Sequence, residues 1–438
     1  GVMALLKEGV LMNIQDHNGY TALMHAVDRM YAAIISDLLK YGANPNLADD
    51  YGTTPLILAT KNNDMKSVEM LLKDGVEVDL RDEGGKTAFM YAVKLRHTEI
   101  ALVLLDYGAN SNITYKKGNT AMTIAAKKGH DDILKSLLDH GIPTERWSRE
   151  ALHDAIVNGQ ANVVSTFLDY NISIESSILF PLPLVLAVRG GDMKVVAVLV
   201  EKGVDVNALD IRHGTALTVA AETGKLDIMR YLLDNGAEIN KKGKNGNSAL
   251  MAAVEQGDKE VLQILFEHNA DPNHVNRDGD TALMKAVEKR DNNLVASLLE
   301  HGADPSIADT FGYTPLLRWA MHGENGIVLL LLEHDVDPNV DVDLTADKLT
   351  ALMLAARGGH QETVANLLKY KADPNIVSGE NSALSIAAQY GHTSVVQTLL
   401  ENGADPNLRI NKCDTPLNMF IKSHDNDNDG IIKLLVAH

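Results

Sequence analysis

The sequence predicts an all-α solenoid in which short antiparallel helix pairs stack side by side. A Thr/Ser–Ala/Pro–apolar triplet recurs along the 438 residues at steps close to 33 residues. Hydrophobic residues form 45% of the chain but aromatic residues only 5%, so small aliphatic side chains must build the interior. Most repeats also carry a glycine where their second helix should end. A period of this length indicates one supersecondary unit that buries its apolar face against its neighbours.

The triplet begins at regularly spaced threonines and serines. It begins at Thr21, Thr54, Thr87 and Thr120, and again at Thr215, Ser248, Thr281 and Thr314, at steps of 33 residues within each run. It continues at Thr350, Ser382 and Thr415, at steps of 36, 32 and 33 residues. Weaker versions begin at Glu150 and Leu182. We therefore predict about thirteen repeats, and expect residues 1–13 to be the end of a partial N-terminal repeat.

Each repeat should contain two helices with recognisable ends. In residues 49–82, Thr54 is expected to cap the first helix and Pro55 to occupy its first turn, where proline is tolerated. The second helix should run over residues 65–73 and end at Gly75, since glycine adopts the left-handed conformation at least cost. Where other residues replace this glycine, we expect the same left-handed backbone, at Asn269, Asp335 and Lys371.

Two stretches carry a family resemblance most clearly. Residues 210–240 contain Gly-Thr-Ala-Leu at 214–217 and Asn-Gly-Ala at 235–237, and residues 281–309 follow the same pattern. The chain resembles the ankyrin repeats, and the resemblance extends over nearly its whole length. It implies antiparallel helix pairs joined by β-hairpin fingers, with partner binding at the finger tips and inner helices.

The repeat pattern weakens in the middle of the chain. Ile142, Pro143 and Trp147 lie where a regular finger is expected, and Tyr170 to Ser173 replace the usual Gly-Ala-Asp-Pro-Asn segment. We predict an N-terminal stack over residues 1–143, a partial repeat plus four repeats, and a C-terminal stack over residues 191–438. Residues 144–190 would hold two degenerate repeats and form a kink, or simply continue the stack.

Composition excludes several classes of partner and compartment. The formal net charge of −19 and a pI near 5.2 disfavour nucleic acid, since sequence-independent binding to phosphates needs a basic surface. The longest apolar runs are too short for a membrane helix, so no membrane insertion is expected. The single cysteine, Cys413, forms no internal disulfide, which favours a reducing compartment, the cytoplasm first and the nucleus second.

No motif for catalysis, cofactors or metals is present. The sixteen histidines occupy recurring repeat positions such as His130, His360 and His392, and no phosphate-binding loop or nucleophile motif occurs. The acidic loop at 425–430 lacks the glutamate that closes a calcium-binding loop. We therefore expect no catalytic residue, no cofactor and no metal site, and a protein that is not an enzyme.

Two groups of residues are candidate partner-binding surfaces. The first is a basic and aromatic patch suited to an acidic partner segment, formed by Tyr20, Tyr51, Lys86, Lys94, Tyr115, Lys116, Lys117, Lys127 and Lys128. The second is aromatic and consists of Phe311, Tyr313, Trp319 and His322. Trp319 replaces the alanine that is usual in an inner helix, and it either fills a packing gap or lines a pocket. For the first group, ordinary solvated lysines are the alternative interpretation.

These features predict an interaction scaffold or adaptor that binds a partner protein or an extended peptide on its concave helix and finger surface. The alternative is a ligand-sensing or regulatory ankyrin region of a larger enzyme, such as an oligoadenylate sensor, or of an ion channel or pathogen effector. The sequence leaves the partner, the flanking regions and the oligomeric state open, because a fold does not dictate a function.

Overall fold

The computed structural model of the chain describes residues 11–144, 147–172, 182–341, 348–410, 414–423 and 429–438. It divides into two compact units, Gly1–Val206 and Asn207–His438, which we call unit 1 and unit 2. In the described residues, 26 α-helices form thirteen consecutive antiparallel pairs, so the predicted all-α repeat fold is confirmed. Residues 1–10 of the predicted partial N-terminal repeat, residues 342–347, Cys413 and most of the acidic loop at 425–430 lie outside the described residues.

Unit 1 contains six helix pairs. In each pair the first helix packs against the first helices of neighbouring pairs, and we call it the inner helix. The pairs are α1 (Ala22–Asp28) and α2 (Ala32–Lys40), α3 (Pro55–Lys61) and α4 (Met65–Lys73), α5 (Ala88–Leu95) and α6 (Thr98–Asp106), α7 (Ala121–Lys128) and α8 (Asp131–Asp139), α9 (Ser148–Val157) and α10 (Ala161–Asp169), and α11 (Pro183–Gly190) and α12 (Met193–Glu201). A short 3-10 turn, Lys116–Gly118, precedes α7.

Unit 2 contains seven helix pairs, with a 3-10 turn, Lys244–Gly246, before the second of them. The pairs are α13 (Ala216–Glu222) and α14 (Leu226–Asp234), α15 (Ala249–Gln256) and α16 (Lys259–Glu267), α17 (Ala282–Glu288) and α18 (Asn292–Glu300), α19 (Pro315–His322) and α20 (Asn325–Glu333), α21 (Ala351–Gly358) and α22 (Gln361–Lys369), α23 (Ala383–Gln389) and α24 (Thr393–Glu401), and α25 (Pro416–Ser423) and α26 (Asp429–Ala437). None of the described helices is long and apolar enough to cross a bilayer.

The recurring triplet marks the start of the inner helices. The Thr54 hydroxyl accepts the Ile57 N–H at 3.2 Å, and Pro55 occupies the first turn, as predicted. At Thr120 the cap is reciprocal, because the Thr123 hydroxyl also accepts the Thr120 N–H at 2.9 Å. Each cap satisfies helix N–H groups that have no partner within the helix. The 33-residue step in the sequence is therefore the spacing between successive helix caps.

The helix ends and the fingers follow the predicted backbone geometry. Asn269, Asp335 and Lys371 have φ values of 59°, 59° and 70°, so all three adopt the left-handed conformation that glycine adopts in other repeats. In the described residues the fingers form isolated β-bridges, such as the one between Asp210 and Gly214, rather than extended strands. The predicted hairpins are thus tight turns.

Histidines in the loops between paired helices connect neighbouring repeats. His97 lies 2.9 Å from the Thr60 carbonyl, and His360 lies 3.0 Å from the Met321 carbonyl. A carbonyl only accepts, so the imidazole nitrogen donates in both cases. These rings therefore satisfy carbonyls at the ends of preceding inner helices, which explains why histidine recurs at the repeat spacing.

Asparagine side chains form a second set of bonds between repeats. The Asn46 amide oxygen accepts the Glu77 N–H at 2.8 Å, and Asn273 accepts the Asp304 N–H at 2.7 Å, each 31 residues later. Asn112 occupies the same position, but its amide oxygen is buried without a hydrogen-bond partner. The expected donor, 31 residues after Asn112, is Pro143, which has no backbone N–H. The series of bonds therefore stops at the degenerate region that the sequence analysis identified.

This difference predicts unequal effects of two matched substitutions. Asn46→Ala should lower the free energy of unfolding by about 1 kcal/mol, because it removes one hydrogen bond between repeats. Asn112→Ala should cost less than half as much, since that oxygen accepts nothing. Urea denaturation of both variants measures the two losses, and equal losses would contradict the role assigned to Pro143.

The division of the chain proposed from the sequence stays a prediction. Residues 147–172 form a regular helix pair, α9 and α10, within the segment 144–190. Residues 145–146 and 173–181 lie outside the described residues, so the predicted kink is not tested.

Candidate functional site

Tyr91 is the centre of the first candidate surface. It lies on inner helix α5, four residues after the capping Thr87, and its hydroxyl donates to the Asp82 carboxylate at 2.6 Å. The other Asp82 oxygen accepts the Lys86 N–H at 2.8 Å and so closes the finger turn. Both carboxylate oxygens of Asp82 are thus occupied, and the Tyr91 ring is held against the finger.

Three lysine ammonium groups converge on this ring. Lys61 Nζ lies 4.4 Å from the Tyr91 ring centroid, Lys94 Nζ 5.7 Å and Lys86 Nζ 5.9 Å, all within the range of cation–π attraction. Lys86 Nζ also lies 4.8 Å from the ring centroid of Tyr115, in the next finger. We call these five residues, Lys61, Lys86, Tyr91, Lys94 and Tyr115, the lysine–tyrosine surface. It spans three successive helix pairs of unit 1.

The lysines of this surface carry an incompletely balanced charge. All three are half-buried, and none forms an ion pair with a carboxylate among the described residues. Burial lowers the pKa of Lys61, and the neighbouring Lys94 and Lys86 ammonium groups lower it further, against the opposing effect of Asp82 and Asp49. Burial and the hydrogen bond to Asp82 raise the pKa of Tyr91, so its phenol stays neutral. An anion that reached this surface would meet three ammonium groups at once.

The structure brings together only part of the first predicted patch. Lys86, Lys94 and Tyr115 belong to the lysine–tyrosine surface. Of the others, Tyr20 contacts the His25 ring at 5.2 Å and Tyr51 is 69% exposed at a finger turn. Lys116, Lys127 and Lys128 are exposed, and in the described residues the ammonium groups over the Tyr91 and Tyr115 rings are those of Lys61, Lys86 and Lys94. The side chain of Lys117 lies outside the described part of the chain.

Sequence reasoning missed Lys61 and Tyr91, although a signal for the lysine was present. Seven residues after the capping threonines, the three repeats that begin at Thr54, Thr87 and Thr120 have Lys61, Lys94 and Lys127. Three repeats of unit 2 have glutamate at the same position, Glu222, Glu255 and Glu288. The column also holds Asp28 in unit 1 and Arg357 in unit 2, so its charge varies from repeat to repeat. Such variation indicates a surface position rather than a packing requirement.

Trp319 defines the second candidate surface, in unit 2. Five residues after the start of the recurring triplet, eleven other inner helices have a buried alanine at the same position: Ala26, Ala59, Ala92, Ala125, Ala155, Ala187, Ala220, Ala253, Ala286, Ala355 and Ala387. Trp319 is 5% exposed, and its indole ring packs on inner helix α19 where the others have a methyl group. Accordingly, α17 and α19 contact each other less closely than the other neighbouring inner helices described in unit 2.

A cavity of about 350 Å³ opens beside Trp319, and we call it the Trp319 cavity. Its walls are Glu288, Arg290, Tyr313, Arg318, Trp319, Met321 and His322. The His322 ring is tilted against the indole at 5.5 Å, and Arg290 lies over the indole at 5.9 Å. Three of the four predicted residues therefore line one cavity, whereas Phe311, 70% exposed at the finger turn, does not. Trp319 both packs in the repeat and lines a pocket.

Comparison with known proteins identifies the repeat. The family model of ankyrin repeats, built from three copies, matches residues 1–82, 31–115, 108–178, 184–276, 250–342 and 339–410. The chain belongs to the ankyrin-repeat family. Ankyrin repeats are in general protein-interaction modules, and the inner helices and fingers described above are the ankyrin elements that carry both candidate surfaces.

The chain was also compared with curated proteins and with solved structures. No curated protein matches the sequence. Among solved structures, the chain is similar to the crystal structure of the human ASB11 ankyrin repeat domain, with 23% sequence identity and a TM-score of 0.43. The match covers 50% of this chain and 100% of that chain.

Proposed function

We propose that this ankyrin chain is a binding scaffold without chemistry of its own, and that the lysine–tyrosine surface of unit 1 holds an acidic segment of a partner protein. The observation that carries the proposal is the convergence of Lys61, Lys86 and Lys94 on one tyrosine ring. Burial is the largest cause of the lowered pKa of Lys61, and the nearby Lys94 and Lys86 ammonium groups lower it further, against the opposing effect of Asp82 and Asp49. A carboxylate-rich segment would add negative charge beside the three ammonium groups and favour their charged forms.

The aromatic rings support a protein ligand in particular. Tyr91 and Tyr115 lie beneath the ammonium groups and offer rigid, amphipathic contact area, which is typical of interface anchors. The hydrogen bond from Tyr91 to Asp82 fixes one ring before any partner arrives, so little ordering is needed on binding. The net charge of −19 disfavours a polyanion that would have to approach the whole molecule, such as a long nucleic acid.

A titration with fluorescein-labelled oligoglutamate at low ionic strength tests the proposal. Fluorescence anisotropy should report binding to the wild-type chain, and the triple variant Lys61→Gln/Lys86→Gln/Lys94→Gln should bind about tenfold more weakly. Three exposed or half-exposed charge pairs at a few tenths of a kcal/mol to 1 kcal/mol each account for about that loss. Added salt should weaken wild-type binding, because exposed charges are screened.

The chain offers a matched control on its outer helices. The triple variant Lys40→Gln/Lys66→Gln/Lys135→Gln changes three exposed lysines on α2, α4 and α8 of the same unit. Both triples change the formal charge by three, from −19 to −22, so only the location differs. Equal weakening by the two triples, or equal binding of an oligoglutamine peptide, would overturn the proposed site. Preferential binding of a 2′,5′-linked oligoadenylate to the same lysines would favour the nucleotide-sensor alternative instead.

A further inference from the structure

The indole nitrogen of Trp319 has no hydrogen-bond partner among the described residues, although it is buried. A buried donor without an acceptor costs about 1–3 kcal/mol, so such groups are rare in folded proteins. Trp147, the other tryptophan, donates its indole N–H to the Pro143 carbonyl at 2.6 Å. Of the two tryptophans, only Trp319 lacks an acceptor in the described residues, and its side chain lines the Trp319 cavity.

The charges around the cavity are already paired. Arg318 forms ion pairs with Glu288 at 2.8 Å and Asp280 at 3.7 Å, and also with Asp309. Arg290 pairs with Glu324 at 2.8 Å. The remaining walls are the aromatic and thioether side chains of Tyr313, Trp319 and Met321, together with the His322 imidazole. A charged ligand gains little from guanidinium groups that are already neutralised, whereas an uncharged oxygen suits the unpartnered indole donor.

We propose that the Trp319 cavity binds one uncharged, apolar residue of a partner protein, whose amide carbonyl accepts the Trp319 indole N–H. A volume of about 350 Å³ is at the small end of ligand pockets, which suits a single side chain with its adjoining amide. The indole nitrogen has no free surface in this conformation, so binding includes a small movement of the cavity wall, where Met321 and His322 are exposed. This inference goes beyond the lysine–tyrosine surface and does not depend on it.

The replaced alanine explains why the site occurs at this repeat. An alanine at this position lets neighbouring inner helices close on each other, as in the eleven repeats that have it. At the Trp319 repeat, α17 and α19 contact each other less closely than the other inner helices described in unit 2, and the indole contributes an aromatic wall and a hydrogen-bond donor beside the cavity. An alanine at this position supplies neither an aromatic wall nor a side-chain donor.

Nuclear magnetic resonance of 15N-tryptophan-labelled protein tests the site directly, because the full chain has two tryptophans and so two indole signals. The variant Trp147→Phe assigns them. N-acetyl-leucinamide, an apolar side chain between two amides, should shift the Trp319 indole proton downfield in a saturable manner and leave the Trp147 signal in place. No shift up to the solubility of the probe, or parallel shifts of both signals, would overturn the proposal.

A conservative variant separates the donor from the cavity. Trp319→Phe keeps an aromatic ring at the position but removes the N–H. Ligand-detected saturation transfer should show that it binds N-acetyl-leucinamide about fivefold more weakly than the wild type, the factor expected for one lost hydrogen bond. Undiminished binding would show that the indole donor plays no part. The wild-type indole measurement stands by itself if Trp319→Phe folds poorly.

Discussion

Replacing Arg318 by methionine should lower the free energy of unfolding by about 3 kcal/mol, one of the two largest losses we expect from a single substitution. Arg318 lies on α19 and pairs with Glu288, Asp280 and Asp309. The side chain of Asp309 is 1% exposed and that of Asp280 is 9% exposed. Removing one partner of a buried ion pair typically costs about 3–5 kcal/mol, because the remaining charge stays buried without compensation. We expect the lower end, since Lys285 still pairs with Asp280 at 3.0 Å.

A second arginine in the same unit provides the control for Arg318. Arg230 pairs with Glu267 at 3.6 Å, and the two side chains are 54% and 45% exposed. Exposed pairs contribute less than about 1 kcal/mol, so Arg230→Met should have little effect. Urea denaturation followed by circular dichroism measures both losses. Similar losses for the two variants would contradict the role of Arg318 as the counterion of buried carboxylates.

Replacing Trp147 by alanine should destabilise unit 1 by about 3–5 kcal/mol, the usual range for removing a buried tryptophan. Trp147 is 1% exposed, its ring lies 6.1 Å from that of Phe167, and its indole donates to Pro143. The substitution removes the packing and the hydrogen bond together, in a repeat that also lacks the asparagine bond of its neighbours.

Trp319→Ala is the matched control for Trp147→Ala. Alanine is the residue that eleven other inner helices have at this position, so the helices around it can close over the smaller side chain. The indole of Trp319 also has no hydrogen bond to lose. We expect a loss of about half that of Trp147→Ala, because closing of the site reduces the cavity term. Equal losses in chemical denaturation would show that Trp319 has an ordinary core role.

The repeat architecture was predictable because it depends on residues that recur. Thr54, Pro55 and Gly75 each determine a helix end through local chemistry, and the period places equivalent residues in every repeat. The left-handed Lys371 followed from the same alignment, since the backbone there is set by its position in the repeat. Local rules of this kind require no knowledge of how the repeats stack.

The candidate site was predictable only in part, because side chains from different repeats form it. Lys61 and Lys94 lie 33 residues apart and meet at one ring only because inner helices α3 and α5 pack side by side. Nothing local to Tyr91 reveals that its hydroxyl is bound to Asp82. Trp319 was recognisable from the sequence because most inner helices have alanine at the same repeat position. The lack of a partner for its indole nitrogen depends on how all the neighbouring side chains pack, which the sequence does not show.

Acetylation footprinting of lysines tests most directly whether the surface around Tyr91 holds an acidic segment. The rates of acetylation of individual lysines are measured by mass spectrometry with and without a saturating oligoglutamate peptide. We expect the peptide to slow the acetylation of Lys61, Lys86 and Lys94 and to leave Lys40, Lys66 and Lys135 unchanged. Protection spread evenly over all six lysines, or confined to the outer helices, would contradict binding at the lysine–tyrosine surface.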